Sequence, residues 1–218
     1  TTRLAPDSVD DITLALARMV IDTPQDDIPT NAFAAARVAV MDALGCAFAG
    51  HDAPGVRSVV DLTTHWGGRP EVTVWFQNAA APAPAAVFAN STQLHALDFD
   101  DYHPPSGAHI TSVLVPAVLG AGEANDSTGK ETLAALILGV EVVGRLGRAC
   151  QARRDHEGFL PASVICGFGA TAAVCRLQGA SADETVHAIG IWYAHASGNR
   201  QALFDRTLTK RIQPGIAA

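Results

Sequence analysis

The chain has 218 residues, 48% of them hydrophobic and only 17% charged, a balance that fits a globular protein and excludes a disordered one. Fifteen Lys and Arg against 22 Asp and Glu leave a net charge of −7, which argues against nucleic acid as the main partner, because phosphate binding needs clustered basic residues. An anionic small molecule stays open as a ligand, since a pocket can be basic on an acidic protein.

In chain order, a first helix is predicted to start near Asp7 or Ser8 and to run through Val20, with Leu14, Ala15 and Met19 on its apolar face. Thr30 is predicted to cap a longer one, in which Phe33, Ala36, Val40, Leu44 and Phe48 recur every three to four residues until Gly50 closes it. A third runs from Gly55 to Trp66 and stops at Gly67-Gly68. Residues 71–76 are β-branched and aromatic and read as a short strand or extended excursion. Helix returns over residues 83–97. Residues 98–108, dense in Asp, Pro, Ser and Gly, must be a loop. Residues 110–124 are helical again, with Pro116 tolerable only in the first turns or at a kink.

Ser127, Thr128 and Gly129 open a long helix to about Arg153, and residues 158–177 and 183–197 give two more. Residues 209–218 look like the start of another, with Pro214 suited to its first turn. Gly139, Gly144, Gly147, Gly167 and Gly169 would each cost roughly 1 kcal/mol in an exposed helix, so close helix–helix contact is expected there. No repeat or linker divides residues 1–218. The expectation is a single all-α domain.

Cys46, Cys150, Cys166 and Cys175 lack the short paired spacings of zinc sites and read as small hydrophobes. The apolar stretches are broken by Glu, Arg or Gly before about 18 residues, so no membrane span is expected. The polar opening offers no signal peptide, and a cytoplasmic location follows as the expectation. So little charge leaves apolar surface for a partner subunit.

One stretch concentrates chemistry. From His95 through Asp98, Asp100, Asp101, Tyr102 and His103 to His109, three carboxylates, three histidines and a tyrosine lie between two apolar helices. Loops on rigid scaffolds carry catalytic groups, and clustered acids and imidazoles can shift each other's pKa toward neutrality. A plainer reading stands beside this one. The aspartates can be turn residues or helix caps, His103 before two prolines an exposed side chain, and His109 a cap. No His-x-x-x-His pair occurs in the stretch, so no metal is expected. Lys210, with Arg206 and Arg211, reads equally as a solvated basic face. His187 and His195 read as core or interface residues. Phosphate-cradling glycine loops, nucleotide fingerprints and Gly-x-Ser-x-Gly elbows are all missing, so nucleotide cofactors and serine-hydrolase chemistry have no support.

The run His95-Ala96-Leu97-Asp98-Phe99-Asp100-Asp101, followed by His109 and by Val113 to Ala117, resembles the MmgE/PrpD family. Further likenesses lie at residues 37–45 and 139–145, Gly158-Phe159, residues 167–173, Thr209-Lys210 and residues 215–218. The family includes 2-methylcitrate dehydratase, cis-aconitate decarboxylase and iminodisuccinate epimerase. The resemblance implies an α-helical domain carrying most of an active site. In the family a smaller α+β lid and a return to the helices follow, and residues 1–218 are expected to contain neither. It further implies a homodimer, no metal or organic cofactor, and a small polycarboxylate substrate.

Position by position, the resemblance makes Asp98 the active-site aspartate, His109 the substrate-facing histidine and Lys210 a carboxylate-binding lysine. Tyr102, His103 and Arg211 become substrate contacts. Two departures stand out: Leu160 and Gln213 occupy positions where many members carry histidine. Leucine has no proton to give, which weighs against decarboxylation and toward dehydration, isomerisation or epimerisation. The expected activity is therefore a cofactor-independent lyase or isomerase. The alternative is a non-catalytic helical subunit or half-enzyme needing a complementary C-terminal chain.

Overall fold

The computed structural model describes residues 11–150 and 158–218. Among these residues, ten α-helices pack around three buried apolar clusters, and a two-stranded hairpin is the only sheet. The first helix, α1 (Ile12–Asp22), begins where the Asp11 carboxylate accepts from the Leu14 amide, capping an orphan donor. The predicted cap at Asp7 or Ser8 lies outside the described residues.

The second helix, α2, spans Thr30–Gly50, with Pro29 in the cap position and Thr30 already helical. Phe33, Ala36, Ala43, Cys46, Ala47 and Gly50 face inward, but Phe48 is 61% exposed, against expectation. The reason is drift: a step of four residues advances about 40° beyond a full turn, so three such steps from Ala36 carry Phe48 about 120° away. Phe48 instead meets the ring of Phe76 at 5.4 Å. By length and composition alone α2 is apolar enough to cross a membrane. Its inward face packs on the helices introduced below.

After α3 (Val56–His65), strand β1 (Val72–Val74) pairs antiparallel with β2 (Ala79–Ala81), Val72 opposite Ala81. The second strand gave no signal, because three alanines have little β-propensity. The side chain of Asn90 secures the hairpin, accepting from the Trp75 amide at 2.8 Å and donating to the Thr73 carbonyl at 2.9 Å.

At the centre lie α4 (Ala83–His95) and α5 (Thr111–Ala124). Pro116 is the sixth residue of α5, in its second turn. Having no N–H, it leaves the Ser112 carbonyl without its helical donor. Ser91 of α4 donates its hydroxyl to that carbonyl at 2.5 Å, so the loss is repaired across the helix interface. Next, α6 (Gly129–Cys150) crosses α7 (Pro161–Leu177) at Gly139 and Gly169. A Cβ on Gly169 would lie 2.4 Å from the Gly139 carbonyl oxygen, so the two backbones touch there. Gly144 makes no such approach; its nearest neighbour is the His103 ring at 3.8 Å. The predicted end of α6 at Arg153 falls outside the described residues.

A capping box between Ser181 and Glu184 starts α8 (Ala182–His195). The short α9 (Gln201–Phe204) was not expected, and α10 (Thr209–Ala217) packs on α4 and α7. Pro214 is the sixth residue of α10, not part of its first turn. Three further corrections concern burial. His187 and His195 are exposed, so neither is a core residue, and Cys150 is exposed while the other three cysteines are buried.

Candidate active site

Five pieces of chain converge on one cleft of about 440 Å³. They are the end of α4, the loop before α5, the start of α7, the segment around Arg200, and α10. The volume suits a small acid. His95, Asp98, Tyr102, His109 and Lys210 all line it.

The α4 helix delivers His95 at its last turn, where the ring is buried. The chain then reverses sharply: Asp98 takes φ 58°, in the left-handed region, and its amide donates to the His95 carbonyl at 3.2 Å. This strained turn brings the Asp98 carboxylate back beside His95 and onto the Lys210 ammonium, which donates to it. Two residues on, the Asp100 carboxylate is buried and receives His95 Nδ1 at 2.9 and 3.1 Å. Asp101 does something else. It accepts from the amide and hydroxyl of Thr111, the first residue of α5, so the plainer cap reading holds for it.

The hydrogen bonds fix the histidine tautomers. Lys210 Nζ lies 3.2 Å from His95 Nε2. An ammonium can only donate, so Nε2 accepts, and Nδ1 must carry the hydrogen given to Asp100. His95 is therefore a neutral link between a buried carboxylate and the lysine. His109 Nδ1 lies 3.3 Å from the Asp100 carbonyl, which can only accept, so Nδ1 is again the donor. Its Nε2 lies 3.9 Å from Asp98 Oδ1, on the cleft side, and in the neutral ring it is the nitrogen that carries the lone pair. Tyr102 stands edge-on to the His109 ring with centroids 5.7 Å apart.

Burial pushes the Asp98 pKa up, but the Lys210 hydrogen bond and charge, with His95 and His109 adding when protonated, outweigh it and hold Asp98 below its ordinary value. At neutral pH Asp98 is thus an anion that grips Lys210 and a poor proton donor. Its depressed folded-state pKa means that the pairing stabilises the fold fully above the ordinary aspartate value of about 3.9 and is lost as pH falls through the lower folded value. The stability gap between wild type and Asp98→Asn, followed by chemical denaturation, should be constant above that range and shrink on acidification. A gap that widens toward acid would contradict this.

His95, Asp98, Asp100 and His109 offer potential ligand atoms within 4.8 Å of one another. The Lys210 ammonium already donates to two of the four, so a metal ion would have to displace a built-in cation. No cysteine competes as nucleophile here. Cys46 is pushed up to about 11 by burial, with Asp42, Asp100 and Asp101 adding to it, and Cys166, 4.0 Å from the His109 carbonyl, is also raised by burial.

Two of the expected contacts point elsewhere. His103 Nδ1 is engaged by the Ser106 hydroxyl at 2.9 Å, its ring faces Gly144, and it does not line the cleft. Arg211 donates to the Pro54 carbonyl and borders an adjoining depression that shares His95, Asp98 and Lys210 with the cleft. His95 and Asp100 lie in the polar stretch singled out in the sequence, but no role in the site was assigned to them. Their signal was a histidine five residues before an aspartate across a helix end, which reads as helix followed by turn. Ser163 and Arg200, which also line the cleft, had no signal of spacing at all.

A family model described as the MmgE/PrpD N-terminal domain matches residues 14–218. The cis-aconitate decarboxylase-like protein oryM of Aspergillus oryzae is 28% identical over 95% of this chain and 44% of its own length. The cis-aconitate decarboxylase of Aspergillus terreus is 28% identical over 95% of this chain and 43% of its own length. That of Homo sapiens is 30% identical over 82% of this chain and 38% of its own length. The chain thus spans less than half the length of these curated relatives. The helical fold, the His95–His109 loop closed by Lys210 and the match over residues 14–218 lead to one conclusion: this chain belongs to the MmgE/PrpD family.

Proposed function

We propose that the protein is a lyase or isomerase that moves a proton at the carbon beside a carboxylate of a small di- or tricarboxylic acid. The observation that carries this reading is the meeting of Lys210, Asp98 and His109 in one cleft, 112 residues apart in sequence between the lysine and the aspartate. The relatives' name, cis-aconitate decarboxylase, supports a polycarboxylate as substrate.

Lys210 binds the substrate carboxylate as a point charge, with Asp98 and His95 fixing its position. His109 Nε2 takes the proton from the adjacent carbon, and the C–H electron pair moves into the carboxylate as an enediolate. The fixed ammonium stabilises that charge without having to reorganise. If the proton returns to the same face of that carbon, the outcome is exchange; delivery of a solvent proton to the opposite face gives epimerisation. If a β-hydroxyl departs with the proton that His109 carries, the products are water and an alkene. Leu160, on the cleft wall, offers no proton, which favours these outcomes over decarboxylation.

The test incubates the intact protein in heavy water with citrate, cis-aconitate and tricarballylate, following deuterium by NMR and carbon dioxide release in parallel. Deuterium beside a carboxylate, or a dehydrated product, without gas release is expected. No exchange, product or gas from any acid of the panel would overturn the reading, and stoichiometric gas release would overturn its preference against decarboxylation.

A further inference from the structure

We propose that the cleft holds a second carboxylate-binding pole, built by Ser163, Arg200 and the first turn of α7. This deepens the proposed function and rests on its reading of Lys210 as the first pole. The wall of the cleft includes Leu160, Pro161, Ala162 and Ser163, so the N-terminal end of a 17-residue helix borders it. That end carries partial positive charge, and Leu160 in the cap position supplies no side-chain hydrogen bond.

A second observation is independent of the helix. Ser163 is 2% exposed, and among the described residues its Oγ has no hydrogen-bond partner. A buried hydroxyl left alone costs free energy, and such groups are rare unless something else satisfies them. Arg200 Nε is buried and equally without a partner among the described residues, although the side chain lines the same cleft.

Backbone pairing holds the two side by side. The Leu160 amide donates to the Gly198 carbonyl at 2.8 Å, and the Arg200 amide to the Gly158 carbonyl at 2.7 Å. Gly198, at φ 127°, packs so closely that a Cβ there would sit 2.4 Å from the Ser163 Cβ. A guanidinium, a hydroxyl and a helix N-terminus together match a carboxylate, which accepts from all three. Lys210 and this group then divide the carboxylates of one polyacid between them, and the second pole selects polyacids over monoacids.

The experiment compares binding of tricarballylate and of butyrate to the intact protein by NMR titration, in wild type, Arg200→Met, Ser163→Ala and Lys210→Met. Arg200→Met should weaken tricarballylate by roughly 10–100-fold, as loss of a charged hydrogen-bonding partner does, and leave butyrate within about twofold. Ser163→Ala should do the same at roughly 3–10-fold, and it carries the comparison if Arg200→Met does not fold. Lys210→Met should weaken both acids. Equal effects of Arg200→Met on the two acids, or none, would overturn the second pole alone. Weakening by Arg200→Met with no effect of Lys210→Met would overturn the first pole and leave the second. Failure of wild type to bind either acid would overturn both.

Discussion

Replacing His109 by alanine is expected to lower the turnover of the intact enzyme by roughly 10²–10⁴-fold, the range that a positioned general base contributes, with KM little changed. Alanine keeps the backbone, so the Ser112 hydroxyl still donates to the carbonyl of residue 109 at 3.0 Å. Only the imidazole is lost. In wild type the Asp100 carbonyl holds Nδ1 as the donor, so Nε2 is the nitrogen turned to the cleft and, in the neutral ring, the basic one. A fall in kcat with an intact KM is the signature of an interaction made in the transition state. Deuterium exchange into the substrate should fall in parallel, because the same proton step limits both. Full turnover in His109→Ala would remove the central base from the mechanism.

Asp100→Ala is expected to destabilise the protein by about 2–3 kcal/mol, the worth of a hydrogen bond to a charged group, and so to lower Tm by roughly 4–12 °C for a chain of this size. The Asp100 carboxylate is buried and takes the His95 Nδ1 hydrogen. Without it, a buried N–H loses its acceptor. The damage should also reach the reaction, since His95 Nε2 orients the Lys210 ammonium. Asp100→Asn keeps an oxygen that can accept from Nδ1 and should recover more than half of the lost stability. Thermal unfolding of the three proteins checks this, and an Asp100→Ala midpoint indistinguishable from wild type would contradict it.

Much of the fold was legible because the helices obey a local rule. Apolar residues every three to four positions mark α2, which ends at Gly50 as expected, α6 opens at the predicted Gly129, and α7 closes at the predicted Leu177. Misreadings came where tertiary contacts replace local chemistry. Pro214 sits six residues into α10, beyond the first turn expected of it, while Pro116, in the second turn of α5, is accommodated by a hydroxyl from a neighbouring helix, which no local pattern announces. The β2 strand is three alanines that only their partner makes into a strand.

The site divides in the same way. Asp98, His109 and Lys210 were named from the family resemblance, and the fold brings them together. His103 was named on the same grounds and Arg211 as a helper to Lys210, yet Ser106 and the Pro54 carbonyl engage their side chains and neither lines the cleft. Sequence spacing places a Cα, whereas rotamer and packing decide where a side chain points.

By itself, then, the sequence determined the helical class, the polar loop between α4 and α5, and the chemical types gathered there. Tertiary structure alone decided that His95 joins Asp100 to a lysine 115 residues away, that Asp98 is an anion and not a donor, and that Ser163 and Arg200 share the cleft. The physical reason is range. Helix periodicity is set by hydrogen bonds four residues apart, while tautomer, charge state and orphaned donors depend on atoms within about 3–4 Å that folding brings from anywhere in the chain.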